Sequence, residues 1–453
     1  MTQSNDDFLL RNLSLDILLE VTAGREYIHI ITRQVLDKYD YLDGKKKAFI
    51  KRLTAGTIER RIELDYVIDS FSKTKVNKMR PQIRCILEMA VYQIMFMDNV
   101  YDTAAVNNAV KLARKRGFSS LSGYVNGVLR SVSAGYADIS LPDAKKEPAK
   151  YLSVKYSMPE FIVNLLSDQY GFDRCERILS NTVKENGVSV RIDENLDAGE
   201  RKSLIENWKK DGAEVEESSL LPYAVRIKGS EGLSRLSGYA EGKFVGQDVS
   251  SMFVCHFAGI KPGDTVIDVC AAPGGKSMHA LAKLKNKGEV ISCDVSEFKV
   301  AGIRENFERI PYDNYRLEVA DASVNREEFN QKADVLLADV PCSGLGVMSK
   351  KQDIKYRIDS EALEQIVMLQ RRILSNVQNY VRPGGTLVYS TCTINREENN
   401  GNLKWLCDNY GFETRPLENV PEELAGCIQP DNSLLLTGEE GNDGFFIAVL
   451  KKK

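Results

Sequence analysis

The stretch TVIDVCAAPGGKS, residues 265–277, joins a β-type run to a loop of small residues that precedes a helical pattern. Small residues at such a turn let a ligand approach the backbone closely, and the free N–H groups at a helix start attract an anionic group. The spacing differs from the GxGxxG fingerprint of dinucleotide-binding turns. We therefore predict that the loop Cys270–Lys276 binds a nucleotide-like cofactor.

Acidic residues follow the next two β-type runs of the chain. Asp294 ends one run, about twenty residues beyond the loop, at the usual position of an acid that binds a ribose. Asp321 follows the next run, where an acid can accept a hydrogen bond from an adenine amino group. The pattern predicts an adenosine-bearing ligand, a class that includes several nucleotides.

Strand-like and helix-like segments alternate from Phe244 onward. The β-type runs are Thr265–Val269, Glu289–Cys293, Tyr315–Val319, Val335–Ala338, Thr386–Ser390 and Phe445–Leu450. Such alternation is typical of a parallel, doubly wound sheet, in which ligands bind at the carboxyl ends of the strands. We predict an α/β Rossmann-like domain over residues 243–453, closed by a strand at residues 444–450.

The preceding residues predict two further parts of a multidomain chain. Residues 1–135 indicate an all-α domain because apolar residues recur at three-to-four spacing. The clearest segments are Leu9–Val21, Lys46–Leu64, Ile83–Met97 and Ala104–Arg116. Residues 136–150 are polar and without periodicity, so we interpret them as a linker. Short helical and β-type runs then mix, and we predict a linker and small α+β connector over residues 136–242.

Two of the nine cysteines follow neighbouring β-type runs in the same way. Cys342 lies in DVPCSGLG, residues 339–346, and Cys392 lies in YSTCT, residues 389–393. A buried inert cysteine is more common inside a strand, whereas loops rich in proline, serine, threonine and glycine place a thiol to react. Because both loops leave the same edge of the predicted sheet, we expect the two thiols to face the cofactor.

A pair of thiols beside a cofactor fits the methylation of cytosine at C5. A thiolate that adds to C6 makes an enamine, so that C5 can attack an electrophilic methyl group. A second group can assist when the C5 proton and the thiolate leave. We expect Asp339 to hydrogen-bond N3 and the exocyclic amine of the base. The motif chemistry leaves open which cysteine adds to C6.

These motifs together resemble the signature blocks of the RNA cytosine-C5 methyltransferase family. The blocks are CAAPGGK, DVPCSGLG and STCT, the last followed by Glu397, Glu398 and Asn399. The stretches RNLSLDILLEV and YVNGVLR resemble the NusB-like, antiterminator-type RNA-binding domain that is fused to the bacterial 16S rRNA members of this family. The resemblance covers nearly the whole chain.

The resemblance implies roles for individual residues. It implies that Cys392 is the nucleophile and that Cys342 helps to resolve the adduct, with Asp339 as the third catalytic residue. It also implies S-adenosylmethionine (SAM) as the cofactor and 16S rRNA as the partner. The implied cofactor-binding residues are Cys270, Ala271, Ala272, Pro273, Gly274, Gly275, Lys276, Asp294, Asp321 and Asp339.

Composition limits the other classes of protein. The 453 residues, 43% hydrophobic and 28% charged, are typical of a globular protein of several domains. We expect a cytoplasmic location, because no apolar run is long enough to span a bilayer and the start of the chain lacks a signal-peptide pattern. We also expect a monomer. The three histidines have no metal-ligand spacing with the cysteines, so we expect no metal site.

Basic residues cluster although the formal net charge is only −3. We expect Arg114, Lys115 and Arg116, with Arg130, to contact RNA phosphates. Further basic clusters lie at Lys45, Lys46, Lys47, Lys51 and Arg52, and at Lys350, Lys351, Lys355 and Arg357. Two alternative functions remain: a cytosine-C5 methyltransferase for another RNA such as tRNA, and a non-catalytic RNA-binding or antitermination factor. The helical domain argues against the first, and the paired cysteines argue against the second.

Overall fold

The computed structural model describes residues 2–24, 26–183, 187–230, 232–439 and 441–453. Contacts group the chain into two compact units. The helical unit consists of Met1–Val183 and Met348–Ile358, and the sheet unit consists of Lys184–Val347 and Asp359–Lys453. Within the described ranges, no helix is both long enough and apolar enough to cross a membrane.

The helical unit is built around one central helix. Its helices are α1 Thr2–Thr22, α2 Ile28–Lys38, α3 Gly44–Glu59, α4 Arg61–Phe71, α5 Pro81–Phe96, α6 Asp102–Lys115, α7 Ser122–Gly135, α8 Pro148–Lys155, α9 Glu160–Tyr170 and α10 Phe172–Thr182. Helix α5 packs against α1, α3, α4, α6 and α7 and is buried along most of its length. Proline at its first turn lacks an N–H that the turn would leave unpaired anyway. The predicted all-α N-terminal domain is confirmed.

The prediction of one helix over Lys46–Leu64 is wrong. Helix α3 ends at Glu59 and α4 begins at Arg61, because Arg60 takes φ −95° and ψ 7°, outside the helical region. The Arg60 guanidinium lies 3.2 Å from a carboxyl oxygen of Glu63 and 5.1 Å from the ring centre of Phe96. Apolar spacing continues across the break, so periodicity alone does not reveal it.

A segment distant in sequence completes the helical unit. Within Met348–Ile358, the buried carboxyl group of Asp353 accepts a hydrogen bond from the N–H of Ile28 at the start of α2 (3.0 Å). Lys355 is also buried, and its ammonium group donates to the carbonyl oxygens of Glu59 (2.7 Å) and Ser157 (2.6 Å). Lys355 therefore cannot be the exposed phosphate contact that its basic cluster suggested.

The sheet unit begins with a small antiparallel sheet. Its elements are β1 Val188–Ile192, α11 Ala198–Lys210, β2 Glu214–Glu217, β3 Ala224–Lys228 and β4 Phe244–Gly246, and among the described residues the strand order is β2-β3-β1-β4. The Trp208 ring of α11 packs edge-on against Phe244 (4.8 Å between ring centres), and both side chains are fully buried. This sheet and helix form the predicted α+β part of the fold.

The larger sheet carries the site. Its elements are α12 Val249–Phe257, β5 Thr265–Asp268, α13 Gly275–Leu284, β6 Glu289–Asp294, α14 Glu297–Phe307, β7 Tyr315–Val319, β8 Ala333–Asp339, α15 Ser360–Val377, β9 Val381–Thr391, α16 Asn402–Tyr410, β10 Phe412–Thr414, β11 Leu434–Leu436 and β12 Phe445–Lys452. In the described chain the strand order is β10-β12-β9-β8-β5-β6-β7, with β11 paired to β12.

Strands β5 to β9 of this sheet pair in parallel, and β12 pairs antiparallel with β9, so the predicted closing strand is confirmed. The order reverses between β5 and β8, because the chain adds β6 and β7 on one side and β9 on the other. Ligands bind at such a switch point in open α/β sheets. The loops after β5 and β8 lie there.

The compact units divide the chain at other positions than the predicted domain boundaries. Helices α8, α9 and α10 fall within the predicted connector at residues 136–242, but they pack with the helical unit. The division into functional parts at residues 135 and 242 stays a prediction. The predicted fold classes, helical first and α/β last, are confirmed.

Candidate active site

The loop after β5 turns sharply between the strand and α13. Gly274 takes a left-handed conformation, φ +102°, and a Cβ added there would lie 3.0 Å from the ring of Phe307 on α14. Glycine therefore meets two demands at this position, the backbone angle and the close approach of α14. The N–H of Ala271 donates to the carbonyl oxygen of Cys293 at 2.9 Å, which fixes the loop against the next strand.

Asp268, the last residue of β5, lies fully buried beneath this loop. Its Oδ2 atom accepts a hydrogen bond from the Ser277 hydroxyl (2.7 Å), whereas Oδ1 is buried and has no hydrogen-bond partner among the described residues. Burial raises the pKa of Asp268 to about 6. Sequence reasoning missed this residue because an acid at the end of a buried run was taken as part of the strand.

Asp294 lies at the end of β6, as predicted, and is almost completely buried. Its two carboxyl oxygens accept hydrogen bonds from the N–H groups of Ala272 (2.9 Å) and Val295 (2.8 Å), and Lys299 pairs with it at 3.0 Å. The carboxyl group thus ties the loop after β5 to the end of β6. The Oδ2 atom, which accepts only from Ala272 among these groups, can accept a second hydrogen bond, so a ribose hydroxyl can still be bound.

Asp321 follows β7, the third strand along this side of the sheet. Its Oδ1 atom accepts a hydrogen bond from the N–H of Ser323 (2.8 Å), and the side chain is exposed. The structure therefore places the predicted cofactor residues Asp294 and Asp321 after adjacent strands, β6 and β7.

Asp339, at the end of β8, contacts residues from two other elements. Its Oδ2 atom pairs with the ammonium group of Lys276 at 2.6 Å, and its Oδ1 atom accepts from the Ser390 hydroxyl of β9 at 2.8 Å. Burial acts to lower the pKa of Lys276, but the Asp339 carboxylate outweighs it, and the net effect is to raise that pKa. Lys276 is thus held as a cation beside Asp339, a contact that the sequence did not predict.

The two cysteines follow neighbouring strands at the same edge of the sheet, as the sequence predicted, and their side chains are in contact. Asp339 of β8 and Ser390 of β9 are register partners, and each cysteine follows within three residues. The Sγ atoms of Cys342 and Cys392 lie 3.2 Å apart in a hydrogen bond. This hydrogen bond, together with burial, raises the pKa of Cys342 well above its ordinary value.

Gly346 allows the two cysteine loops to approach so closely. Its N–H donates to the carbonyl oxygen of Cys392 at 3.0 Å, and its own carbonyl oxygen accepts from the N–H of Gly444 at 2.8 Å. A Cβ at this position would lie 2.0 Å from the carbonyl oxygen of Gly444 and 2.9 Å from that of Cys392. Any larger residue would force the loops apart.

The predicted RNA contacts of the helical unit differ in exposure. Arg114, Lys115 and Arg130 are exposed, with the Lys115 ammonium 5.0 Å from the ring centre of Phe8. Arg116 is half-buried and pairs with Asp16 at 2.6 Å. Arg116 therefore has a structural partner, and the other three are better placed for RNA. Among the described residues, no group of three metal-ligating side chains is close enough to hold a metal ion.

Two family models match this chain. Residues 258–451 match the model described as 16S rRNA methyltransferase RsmB/F, and residues 9–134 match the NusB family. The probable ribosomal RNA small subunit methyltransferase B of Bacillus subtilis is 32% identical over 98% of this chain and 99% of its own length. The chain belongs to the ribosomal RNA small subunit methyltransferase B family. The probable family member of a Synechocystis species is 28% identical over the same shares of both chains.

Solved structures agree with this member of the methyltransferase B family in fold. The crystal structure of PH0851 matches 98% of this chain and 99% of its own, with a TM-score of 0.79 and 24% identity. A methyltransferase homolog from Pyrococcus horikoshii matches 67% of this chain and 98% of its own, with a TM-score of 0.57 and 24% identity. The predicted family, the NusB-like domain and dependence on SAM are confirmed.

Proposed function

We propose that this methyltransferase transfers the methyl group of SAM to C5 of a cytosine in 16S rRNA through a covalent cysteine–C6 adduct. The observation that carries the proposal is the 3.2 Å contact between the Sγ atoms of Cys342 and Cys392. C5 and C6 of a pyrimidine are bonded neighbours, so two thiols this close can serve adjacent ring atoms. A single thiol could not both remain bonded to C6 and assist at C5.

The residues around the loop after β5 fit SAM. The unpaired buried oxygen of Asp268 suits a cationic donor such as the cofactor's ammonium group. We propose that Asp294 accepts hydrogen bonds from the ribose hydroxyls and that Asp321 accepts one from the adenine amino group. The cofactor supplies the methyl group, and the protein supplies its binding and orientation. The loop residues Cys270–Lys276 stay proposed as cofactor-binding residues.

Cys392 is proposed as the nucleophile and Cys342 as the residue that assists resolution. The raised pKa of Cys342 keeps it a thiol at neutral pH, so that it can donate its hydrogen bond to a Cys392 thiolate. The thiolate adds to C6. After methylation at C5, Cys342 releases its own proton to solvent and accepts the C5 proton. The electron pair of the C5–H bond restores the C5–C6 double bond, and the C6–S bond breaks to leave Cys392 as a thiolate. Both steps need the thiols to stay together.

Asp339 and Lys276 are proposed to act together on the base. The Asp339 carboxylate can accept from the exocyclic amine, and the Lys276 ammonium, 2.6 Å away, can offset the negative charge that develops when the thiolate adds. Asp339 ends β8, in the chain segment that leads to Cys342, and Lys276 belongs to the first turn of α13. The substrate base is therefore expected at the ends of β8 and β9.

The choice of 16S rRNA follows from the family and from the N-terminal domain. The relatives are named as methyltransferases of small-subunit rRNA, and residues 9–134 match the NusB family. We further propose that the enzyme acts in the cytoplasm as a monomer.

The proposal is tested by methyl transfer in vitro. The full chain is incubated with radiolabelled SAM and with purified 16S rRNA, 23S rRNA or tRNA, and the modified base is identified after nuclease digestion. We expect label only in 16S rRNA and only as 5-methylcytosine. Label in tRNA alone would show that tRNA, and not 16S rRNA, is the substrate. Label on another base would refute the proposed methylation of cytosine C5. No label in any RNA would favour a non-catalytic role.

A further inference from the structure

A fully buried carboxyl group lies behind the two cysteine loops. Glu398 belongs to a short π-helical turn, Glu397–Gly401, that leads into α16, and its side chain is 0% exposed. Its two oxygens accept hydrogen bonds from the N–H (2.9 Å) and hydroxyl (2.6 Å) of Ser343, and from Gln370 Nε2 (3.0 Å), Thr393 Oγ1 (3.3 Å) and Asn395 Nδ2 (3.2 Å).

The donors are placed symmetrically about the reacting pair. Ser343 directly follows Cys342, and Thr393 directly follows Cys392. Their hydroxyl groups also contact each other at 2.8 Å. One carboxyl group therefore binds the residue after each cysteine, and it joins the two loops through the same pair of oxygens.

Core stability alone does not account for this arrangement. The donors are all neutral groups, and a carboxyl group buried among neutral donors costs free energy that a well-packed apolar side chain would not. The advantage of a carboxyl group here is its geometry. Its two oxygens lie in one plane and accept hydrogen bonds from both cysteine loops at fixed angles. Ser343, Thr393 and Glu398 are each at most 1% exposed, so water cannot readily replace these contacts.

We propose that Glu398 is a positioning residue for the methyl-transfer reaction and that it sets the separation of Cys342 and Cys392 by clamping the residues that follow them. This inference rests on the proposed covalent function. Glu398 acts through Ser343 and Thr393. A displacement of about 1 Å at a reacting pair can cost about a hundredfold in rate, so a modest shift of one loop is enough to slow the reaction.

The first test is Glu398→Gln, which keeps the side-chain volume but places an NH₂ group against groups that donate. We expect kcat on 16S rRNA to fall about ten- to hundredfold, with KM for RNA and the Kd for SAM changed less than about twofold. Glu397→Gln is the matched control, because Glu397 is the exposed neighbour in the same turn, and it should behave as wild type.

The second test measures the thiol separation without any RNA. Diamide takes up the two electrons and two protons that two thiols release when they form a disulfide, and peptide mapping by mass spectrometry identifies the Cys342–Cys392 product. We expect this disulfide to form about tenfold more slowly in Glu398→Gln than in wild type. If Glu398→Gln fails to fold, Ser343→Ala removes one hydroxyl contact and should show a smaller loss in both tests.

The outcomes separate this inference from the proposed function. Unchanged disulfide formation in Glu398→Gln overturns the positioning role, even if kcat falls. Slower disulfide formation with reduced kcat and unchanged binding supports it. If the wild-type chain methylates no RNA, the proposed function fails, and the disulfide rates still decide whether Glu398 holds the thiols together.

Discussion

The Sγ atoms of Cys342 and Cys392 lie 3.2 Å apart although 50 positions separate the two residues in the chain. Neighbouring parallel strands bring them together, because β8 and β9 end side by side and each continues into a cysteine loop. The pairing of β8 with β9 therefore determines the contact between the two cysteines. We predict that the two thiols have different roles in one reaction and that mutation can separate these roles.

Cys392→Ala and Cys342→Ala should differ in kind. Without Cys392 no thiolate adds to C6, so we expect no adduct and no methylation. Without Cys342 addition and methylation still occur, but release stalls, and a covalent protein–RNA complex should accumulate on a denaturing gel. The cysteines lie on loops, so neither change empties a core cavity. If the covalent complex accumulates in Cys392→Ala instead, the two cysteines have the opposite roles. If neither variant loses methylation, covalent catalysis is excluded.

Asp339 and Lys276 should act as one unit in a double-mutant cycle. We expect Asp339→Asn to lower kcat/KM about 10²- to 10³-fold, because the carboxylate and its charge partner are lost together at the base. Lys276→Met should have an effect of similar size, and the double variant should be little worse than the poorer single variant. Lys287→Met, a change at an exposed lysine, is the control. Fully additive losses would mean that the two residues act independently.

Asp294→Asn should weaken SAM binding. A hydrogen bond to a charged group is worth roughly 1.5–3 kcal/mol, so its loss should raise the Kd about ten- to a hundredfold. The variant also disturbs the 2.9 Å contact with the N–H of Ala272, which holds the cofactor loop. Calorimetry on this variant and on Asp313→Asn, an exposed acid of the same unit, gives the comparison. Equal affinities in both would remove Asp294 from the cofactor site.

The exposed basic residues of the helical unit should carry part of the RNA affinity. A variant with Arg114, Lys115 and Arg130 changed to Gln should bind 16S rRNA more weakly. The slope of log K against log salt should fall by about one for each phosphate that the variant no longer neutralises. Lys209→Gln in the sheet unit is the control for a general loss of charge. An unchanged salt slope in the triple variant would show that RNA binds elsewhere.

The sequence predicts the site better than it predicts the contacts between distant segments. Strand ends can be read from β-type runs followed by turn residues, and this is why Asp294, Asp339 and the two cysteine loops were located correctly. The break at Arg60 was missed, because the apolar spacing continues through it. The buried carboxyl groups of Asp268 and Glu398 were also missed, because a sequence does not show which acids have neutral surroundings.

The sequence also does not show that residues 348–358 pack with the helical unit, because this contact joins segments that are distant in the chain. The run SKKQDIKY suggests an exposed basic segment, and only the tertiary structure shows that Lys355 packs inside the helical unit on two carbonyl oxygens. Runs of charged residues are usually exposed to solvent. Lys355 is an exception, because backbone carbonyl oxygens accept hydrogen bonds from its buried ammonium group.

Lys355 should make the stability of the protein depend on pH. Burial lowers the pKa of Lys355 to about 7, whereas the unfolded chain keeps a value near 10.4. Between these values the unfolded state holds a proton that the folded state has released, so the free energy of unfolding should rise with pH, by about 2 kcal/mol from pH 7 to pH 9. Below pH 7 both states are protonated, and this contribution is constant.

Urea unfolding followed by circular dichroism between pH 6 and pH 9 measures this dependence, and the difference between variants isolates Lys355 from other titrating groups. Lys355→Met has a side chain of similar length and no charge, so its free energy of unfolding should not rise with pH as that of the wild type does. The wild type should therefore become increasingly more stable than the variant as pH rises. Lys351→Met, at the exposed lysine of the same segment, should follow the wild type at every pH. If the wild type and Lys355→Met differ by the same amount at pH 6 and pH 9, Lys355 keeps its proton in the folded protein. The two carbonyl contacts then hold an ammonium ion.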